Sequence, residues 1–187
     1  RTMASMLGAF PGAPLFTSVH LPEVRLAGLD GTEVHTSFLQ HFPFMRRHYR
    51  TYFLLYPWAI ERLDFRPFDV ILSSSSAYAK FAIPGEGTCH ICYCYTPMRF
   101  AWDPDGYLAQ EEVGTLTRRL LRPFLEGLRQ RDLRTADRVH YFIAISEAIR
   151  RRIRACYGRE ATVIWPPVET GRFPLADRPG EHYLVIS

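Results

Sequence analysis

Asp69-Val70-Ile71-Leu72-Ser73-Ser74-Ser75-Ser76 is the stretch on which the reading of the fold turns. A compact apolar run of β-branched and aliphatic residues, closed by serines, has the length and make-up of a buried strand that empties into a small-residue loop. Ala77 to Ile83 then reads as a short helix, Pro84-Gly85-Glu86-Gly87 turns the chain, and Cys89-His90-Ile91-Cys92-Tyr93-Cys94 is a second apolar strand. Strand, small-residue loop, helix, strand is the rhythm of a parallel sheet, because parallel neighbours need a long crossover.

The rhythm continues outward. Met3, Met6, Leu7 and Phe10 recur at helical spacing, Pro11-Gly12-Ala13-Pro14 breaks that helix, and Leu15 to Val19 reads as a short strand. Leu21 to Gly31 is loop-like and Val34 to Leu39 is a weaker strand. Met45, Tyr49, Tyr52, Phe53, Tyr56, Ile60 and Leu63 mark one face of a helix that Pro57 should kink or divide. Arg46, Arg47 and Arg50 stand on another face of it. Downstream, a loop from Thr96 to Tyr107 leads into a long amphipathic helix read from Val113, Leu116, Leu120, Phe124 and Leu128, with Pro123 as an interruption. Val139 to Ile145 alternates like a strand. Ser146 is placed to cap a helix that uses Ile149, Ile153 and Tyr157 and closes at Gly158, and Thr162 to Trp165 is another short strand. The expected class is α/β, a mostly parallel sheet flanked by helices.

Composition narrows the alternatives. The 187 residues, 47% hydrophobic and 22% charged, can build one full domain, or one domain and part of another. A mean hydropathy of −0.12 with 14% aromatics excludes a disordered or collagen-like chain. The longest nearly uncharged run, Tyr52 to Ile60, falls short of the roughly 20 apolar residues a membrane-spanning helix needs. The net charge of +4 is carried almost wholly by arginine, Lys80 being the single lysine. Guanidinium forks suit phosphate and carboxylate, although a GC-rich coding sequence is the favoured explanation of the composition itself. Arg1 is no initiator residue and Tyr183 to Ile186 is an apolar run of strand type, so the chain reads as a piece cut from within a larger protein.

In open parallel sheets, ligands bind beyond the carboxyl ends of the strands. That rule selects the Ser73 to Ser76 loop, the Thr96 to Asp103 loop and the Ser146-Glu147 turn. They offer hydroxyls and backbone N–H groups, Arg99 for an anion and Asp103 for sugar-type hydroxyls; the plainer alternative is that the serines cap helices and Arg99 pairs with Asp103. Cys89, Cys92 and Cys94 resemble a metal cluster only in sequence. On a strand Cys92 and Cys94 face one way and Cys89 the other, and no second Cys or His pair follows at ligand spacing, so buried thiols are the reading and no metal is expected. His90 reads as a core histidine with a satisfied nitrogen, and His140 as either core or surface. The sequence holds no Gly-x-Ser-x-Gly elbow, no phosphate loop and no Gly-x-Gly-x-x-Gly.

Tyr95-Thr96-Pro97-Met98-Arg99-Phe100-Ala101-Trp102-Asp103 resembles the Cys-His-Thr-Pro-Met-Arg-Tyr-Ala-Trp-Asp stretch of bacterial family-four (group 1) retaining glycosyltransferases, in particular their mannosyltransferase-like members. Phe142-Ile143-Ala144-Ile145-Ser146-Glu147, with Arg152-Ile153 after it, is similar to the family's Phe-Ile-Ala-Asn-Ser segment. Val163-Ile164-Trp165-Pro166-Pro167-Val168-Glu169-Thr170-Gly171-Arg172-Phe173 is similar to its Val-Ile-Tyr-Pro-Pro-Val-Asp-Thr-x-Arg-Phe linker. Ala59-Ile60-Glu61 and the 69–75 stretch also fit, so the resemblance covers nearly the whole chain in order.

The resemblance implies a GT-B enzyme with two Rossmann-like domains across a cleft. Residues 1–164 would be the acceptor-side domain without its first strand, 165–180 the interdomain linker, and 181–187 the first strand of a donor-binding domain. It further implies transfer of a hexose, mannose by resemblance, from a nucleoside-diphosphate sugar to a glycan or lipid-linked acceptor with retention, without a cofactor and usually without a metal. Ser74, Tyr95, Arg99, Asp103 and Ser146 would line the acceptor side of the cleft; catalytic residues are not assigned. The chain alone would be inactive, cytoplasmic, and peripheral at the inner face of the membrane through Arg46, Arg47 and Arg50, unless these are an ordinary solvated rim. Tyr95 stands where many relatives carry histidine and Ile145 where they carry asparagine. A phenol hydrogen-bonds a hydroxyl but is a poor base near neutrality. The alternative function is a non-catalytic glycan- or partner-binding domain. Nucleic acid is not an expected partner, since no reading motif accompanies the arginines at 150, 151, 152 and 154.

Overall fold

The computed structural model describes residues 2–21, 23, 28–110 and 114–172. The strand expected at 183–186, the domain segment 181–187, the later part of the 165–180 linker, much of the 21–31 loop and Val113 lie outside the described residues. The order of elements is α1 (Thr2–Ala9), β1 (Leu15–Thr17), β2 (Val34–Thr36), α2 (Met45–His48), α3 (Tyr56–Glu61), β3 (Val70–Ser75), β4 (Cys89–Cys94), α4 (Arg99–Trp102), α5 (Pro104–Gln110), α6 (Thr115–Ala136), β5 (Tyr141–Ala144), α7 (Glu147–Tyr157) and β6 (Ala161–Val163).

Every described strand pair is parallel. β3, β4, β5 and β6 form one sheet in that order, registered Val70 to Cys89, Ile91 to Tyr141 and Phe142 to Ala161. β1 and β2 form a separate pair registered Leu15 to Val34. The α/β class read from the sequence holds, with helices flanking parallel strands, although the strands fall into two sheets rather than one.

Three local readings change, and the alternative left open for the 45–63 helix is decided. The serines do not begin a loop at Ser73: β3 runs through Ser75, because Ser74 and Ser75 pair with Tyr93 and Cys94 and the ladder continues in the Tyr95 N–H bond to the Ser75 carbonyl. Only one 3₁₀ turn, Ala79–Phe81, stands where a helix over 77–83 was expected. The 45–63 helix is divided rather than kinked into α2, a 3₁₀ turn at Tyr49–Tyr52 and α3, and Pro57 occupies the first turn of α3, where its missing N–H costs nothing. In α6 the buried face is not that of Leu120 and Phe124, which are 63% and 58% exposed; it carries Leu125, Leu128, Asp132, Thr135 and Ala136. Residues spaced strictly by four drift about 40° per step around a helix, whereas the alternation of threes and fours in the second set keeps to one face.

α7 behaves as its caps require. The Ser146 hydroxyl accepts the Ile149 N–H at 3.3 Å, and Gly158, at φ 64°, ends the helix with its N–H on the Arg154 carbonyl at 3.0 Å. Ile153 and Tyr157 are thereby directed onto Cys92, Cys94, Phe142 and Ala144 of the sheet. A second core joins Ile60, Phe65, Ile71, Phe81, Met98 and Leu128.

Between the two cores lies a buried ionic knot. Lys80 and Asp132, 2% and 0% exposed in their side chains, form a contact ion pair. The other carboxylate oxygen of Asp132 accepts from Trp102 Nε1 at 2.8 Å and from the Tyr157 hydroxyl at 2.8 Å. Asp132 thus joins the Ala79–Phe81 turn, α4, α6 and α7 at one point. Nearby, Glu61 accepts from Arg138 at 2.8 Å and also pairs with Arg131, fastening α3 to α6.

Removing one partner of a buried ion pair leaves an uncompensated charge, at a cost of about 3–5 kcal/mol. Asp132→Ala, which also orphans the Trp102 and Tyr157 donors, is expected to lose stability of that order in urea unfolding. The double variant Lys80→Met, Asp132→Leu is expected to recover only the part due to the bare charge, because the Trp102 and Tyr157 donors stay without an acceptor.

Candidate functional site

The parallel order of β3, β4 and β5 brings three chain segments to one edge of the sheet. Ser74 is the last residue but one of β3, Tyr95 follows β4, and Ser146 follows β5 after Ile145. Ser74 Oγ donates to the Tyr95 hydroxyl at a long 3.4 Å, and the Tyr95 ring meets Tyr93 edge-on at 5.5 Å. The Tyr93 hydroxyl donates to the Ile164 carbonyl at 3.0 Å, so the segment after β6 is tied to the same edge. Ser73, one residue before the edge, is buried with its Oγ 2.9 Å from His90 Nε2.

The Thr-Pro-Met-Arg segment turns directly into a helix. Pro97 and Met98 are buried, Arg99 opens α4 with its side chain in solvent, and the Asp103 N–H closes it on the Arg99 carbonyl at 2.7 Å. Asp103 does not pair with Arg99. Its Oδ1 accepts the Gly106 N–H at 3.1 Å and so caps α5, and a Cβ at Gly106 would lie 2.4 Å from its other oxygen. Ser146 likewise has its hydroxyl engaged as the α7 cap.

Of the residues singled out from sequence, Ser74 and Tyr95 are in contact and Ser146 ends the neighbouring strand, while Arg99 and Asp103 bracket α4. Arg46 and Arg47 stand apart on α2, exposed, with Arg46 3.6 Å from Glu23; the Arg50 side chain lies outside the description. Sequence reading missed Arg152, assigned to the solvated face of α7. Its guanidinium donates to Thr96 Oγ1 at 3.3 Å and connects the β4 loop with α7. The signal was available in its place, less than two turns after the Ser146 cap. Among the described residues, neither Arg99 nor Arg152 has a carboxylate at ion-pair distance; Arg152 reaches the Thr96 hydroxyl at the N-terminal part of α7, and Arg99 is exposed three residues further along the same loop, at the head of α4. That set suits a hydroxylated or anionic ligand.

The cysteines belong to the core. Cys92 and Cys94 are buried on one face of β4 and unbridged, against Ala136, Val139 and Phe142. The hydrogen bond with Cys92, and after it burial, pushes the Cys94 thiol well above the usual range. His90 is satisfied on one side only. Nε2 meets Ser73, whereas Nδ1 has no partner among the described residues.

Burial, with the neighbouring His140 and Lys80 charges, holds His90 down to about 4. An unfolded histidine titrates near 6.5, so between these values the unfolded chain binds the proton that the folded chain refuses. Stability therefore falls as pH drops from about 6.5 to about 4, by roughly 3 kcal/mol for this group. His90→Gln is expected to remove that increment from urea midpoints compared at pH 7 and pH 4.5.

A family model described as Glycosyltransferase Family 4 matches residues 15–172. No individual curated protein and no solved structure gives a significant match.

Proposed function

Because the chain belongs to glycosyltransferase family 4, we propose that it is the acceptor-side half of a transferase that moves a hexose from a nucleoside-diphosphate sugar to a glycan or lipid-linked acceptor with retention. The observation that carries this reading is the convergence of Ser74, Tyr95, Thr96 and Ser146 at the carboxyl edge of a parallel sheet, inside the matched span.

In this reading the acceptor lies across the edge. Ser74 and Tyr95 exchange their weak mutual hydrogen bond for bonds to sugar hydroxyls, and Arg99 and Arg152 face an acceptor phosphate. Such groups act by position and charge. Tyr95 serves as a hydrogen-bonding group rather than a base. Asp103, half engaged as a cap, holds the α4–α5 corner and offers its second oxygen. The donor is bound mainly by a second domain beginning at 181–187, reached through the 165–180 linker, and mannose is the hexose proposed. Arg46, Arg47 and Arg50 are proposed to rest on the anionic inner face of a membrane, beside the exposed Phe44 and Tyr49. No helix among the described residues is long and apolar enough to cross a membrane.

The test is calorimetric titration with a panel of nucleotide sugars, using this chain and the same chain extended through the second domain. Donor binding is expected only in the extended protein; micromolar binding by the 187-residue chain alone would move the donor site onto this half and overturn the assignment. In the extended protein, Arg99→Ala is expected to raise the acceptor KM about tenfold, equivalent to about 1.4 kcal/mol, with donor affinity unchanged. Arg46→Glu with Arg47→Glu is expected to slow transfer to a lipid-linked acceptor in vesicles and not to a soluble one. Binding of glycan with no transfer by the extended protein would favour a non-catalytic binding domain.

A further inference from the structure

Away from the carboxyl edge of the sheet, α3 and the last turns of α6 border an open concavity of about 610 Å³, lined by Glu61, Gly127, Arg131, Arg134 and Arg138. It lies toward the amino ends of the strands, since Arg138 stands three residues ahead of β5 and its guanidinium donates to the Phe81 carbonyl at 3.4 Å. Three guanidinium groups share one carboxylate, which leaves two positive charges on the wall. Asp137, next to Arg138 in the chain, is not part of that wall, and among the described residues no carboxylate meets Arg134 at ion-pair distance.

Two of the three arginines are held in place before any ligand arrives. Glu61, 14% exposed in its side chain, accepts from Arg138 Nη1 at 2.8 Å and from Arg131 Nη2. The Arg131 guanidinium also lies over the rings of Trp58 and Phe81, 4.8 and 5.8 Å from their centroids. A guanidinium carries five N–H donors, so each keeps others for a second acceptor. Fastening α3 to α6 needs one cation on Glu61; it accounts for neither the second nor Arg134. Gly127 is a separate observation. It stands in the interior of α6, where glycine weakens a helix relative to alanine, yet a Cβ there would meet nothing within 4 Å. Packing does not require the glycine, and its bare backbone keeps the floor of the concavity open.

We propose that this concavity is a second binding site, separate from the candidate edge, that takes a phosphate monoester. Such a group carries close to two negative charges at neutral pH and three strong acceptor oxygens. It therefore matches the surplus on the wall, and the planar fork of arginine binds its oxygens in pairs. Because Glu61 already fixes Arg131 and Arg138, little side-chain freedom is lost when the ligand seats. Arg134, exposed and free of a carboxylate, supplies the third fork. The space above Gly127 admits the group that bears the phosphate. A free phosphorylated molecule and the headgroup of a phosphomonoester lipid share this chemistry. The inference does not depend on the proposed transfer, whose residues lie at the other ends of the strands.

The test is titration of the full chain with inorganic phosphate and with phenyl phosphate at constant ionic strength, followed by the amide chemical shifts. Saturable shifts centred on Gly127, Arg131 and Arg134 are expected with both. Arg134→Gln, which breaks no ion pair among the described residues, is expected to weaken binding about tenfold. Gly127→Leu is expected to weaken it comparably while raising Tm, a combination that a merely structural glycine would not give. Shifts centred instead on Thr96, Arg99 and Ser146 would place the anion at the carboxyl edge and overturn the assignment. So would the absence of saturable shifts at about 10 mM phosphate, or binding unchanged in both variants. Co-sedimentation with vesicles of phosphatidic acid, against phosphatidylcholine alone, separates the two sources. Vesicle binding lost in Arg134→Gln supports the site with a lipid headgroup as its ligand, and phosphate binding without vesicle binding supports it with a free one.

Discussion

The buried pair of Lys80 and Asp132 is the constraint on which the helical layer depends. A salt bridge at this depth contributes little net stability, since desolvating two ions offsets most of their attraction. Its effect is on geometry. Asp132 satisfies a cation from the Ala79–Phe81 turn, an indole from α4 and a phenol from α7 at once, so a shift of any one element strands a buried polar group. The ionic knot therefore sets where α4 and α7 sit against the sheet. Those are the helices that open at Arg99 and directly after the Ser146 cap.

The candidate site inherits its order from that arrangement. Parallel strands put all their carboxyl ends on one side, so segments distant in sequence, Ser74, Tyr95 and Ser146, reach one edge without any being adjacent in the chain. Several polar groups there are already committed locally: Ser146 to its helix cap, Asp103 to Gly106, Ser73 to His90. What remains available is Ser74 with Tyr95, joined only by a long hydrogen bond, and the two guanidinium groups of Arg99 and Arg152. A site with weak internal bonds, and with cations that meet no carboxylate among the described residues, loses little when a ligand replaces those bonds, which is the physical basis for reading it as a binding edge rather than a structural corner.

Much of this was legible in the residues. The apolar run at 69–73 and the cysteine strand at 89–94 announced parallel β-structure, and the Ser146 and Gly158 caps bounded α7 correctly, because strand composition and cap chemistry are local properties. The ordered motifs from Tyr95 to Asp103 and from Val163 to Phe173 pointed to the family that the match over 15–172 bears out. Readings failed where a distant partner decided. The serines after Leu72 looked like loop, but Tyr93 and Cys94 draw Ser74 and Ser75 into the ladder. Leu120 and Phe124 looked like core, but the face of α6 that turns inward is the one carrying Asp132, whose charge is tolerable only because Lys80 meets it. Arg152 does lie on the solvated face of α7, but only the fold shows that its guanidinium reaches Thr96 of the β4 loop.

The sequence by itself determined the α/β class, the places where most strands and the capped helix fall, and the family, since each rests on periodicity, composition or motif within a short span of chain. Only the tertiary structure decided which face of α6 is buried, which hydroxyls are already spent on local bonds, and that the described strands divide into a four-stranded sheet and a separate β1–β2 pair. Those outcomes depend on pairings between residues tens of positions apart, where the stabilisation of a buried polar or backbone group is set by what lies across from it and not by its neighbours in the chain.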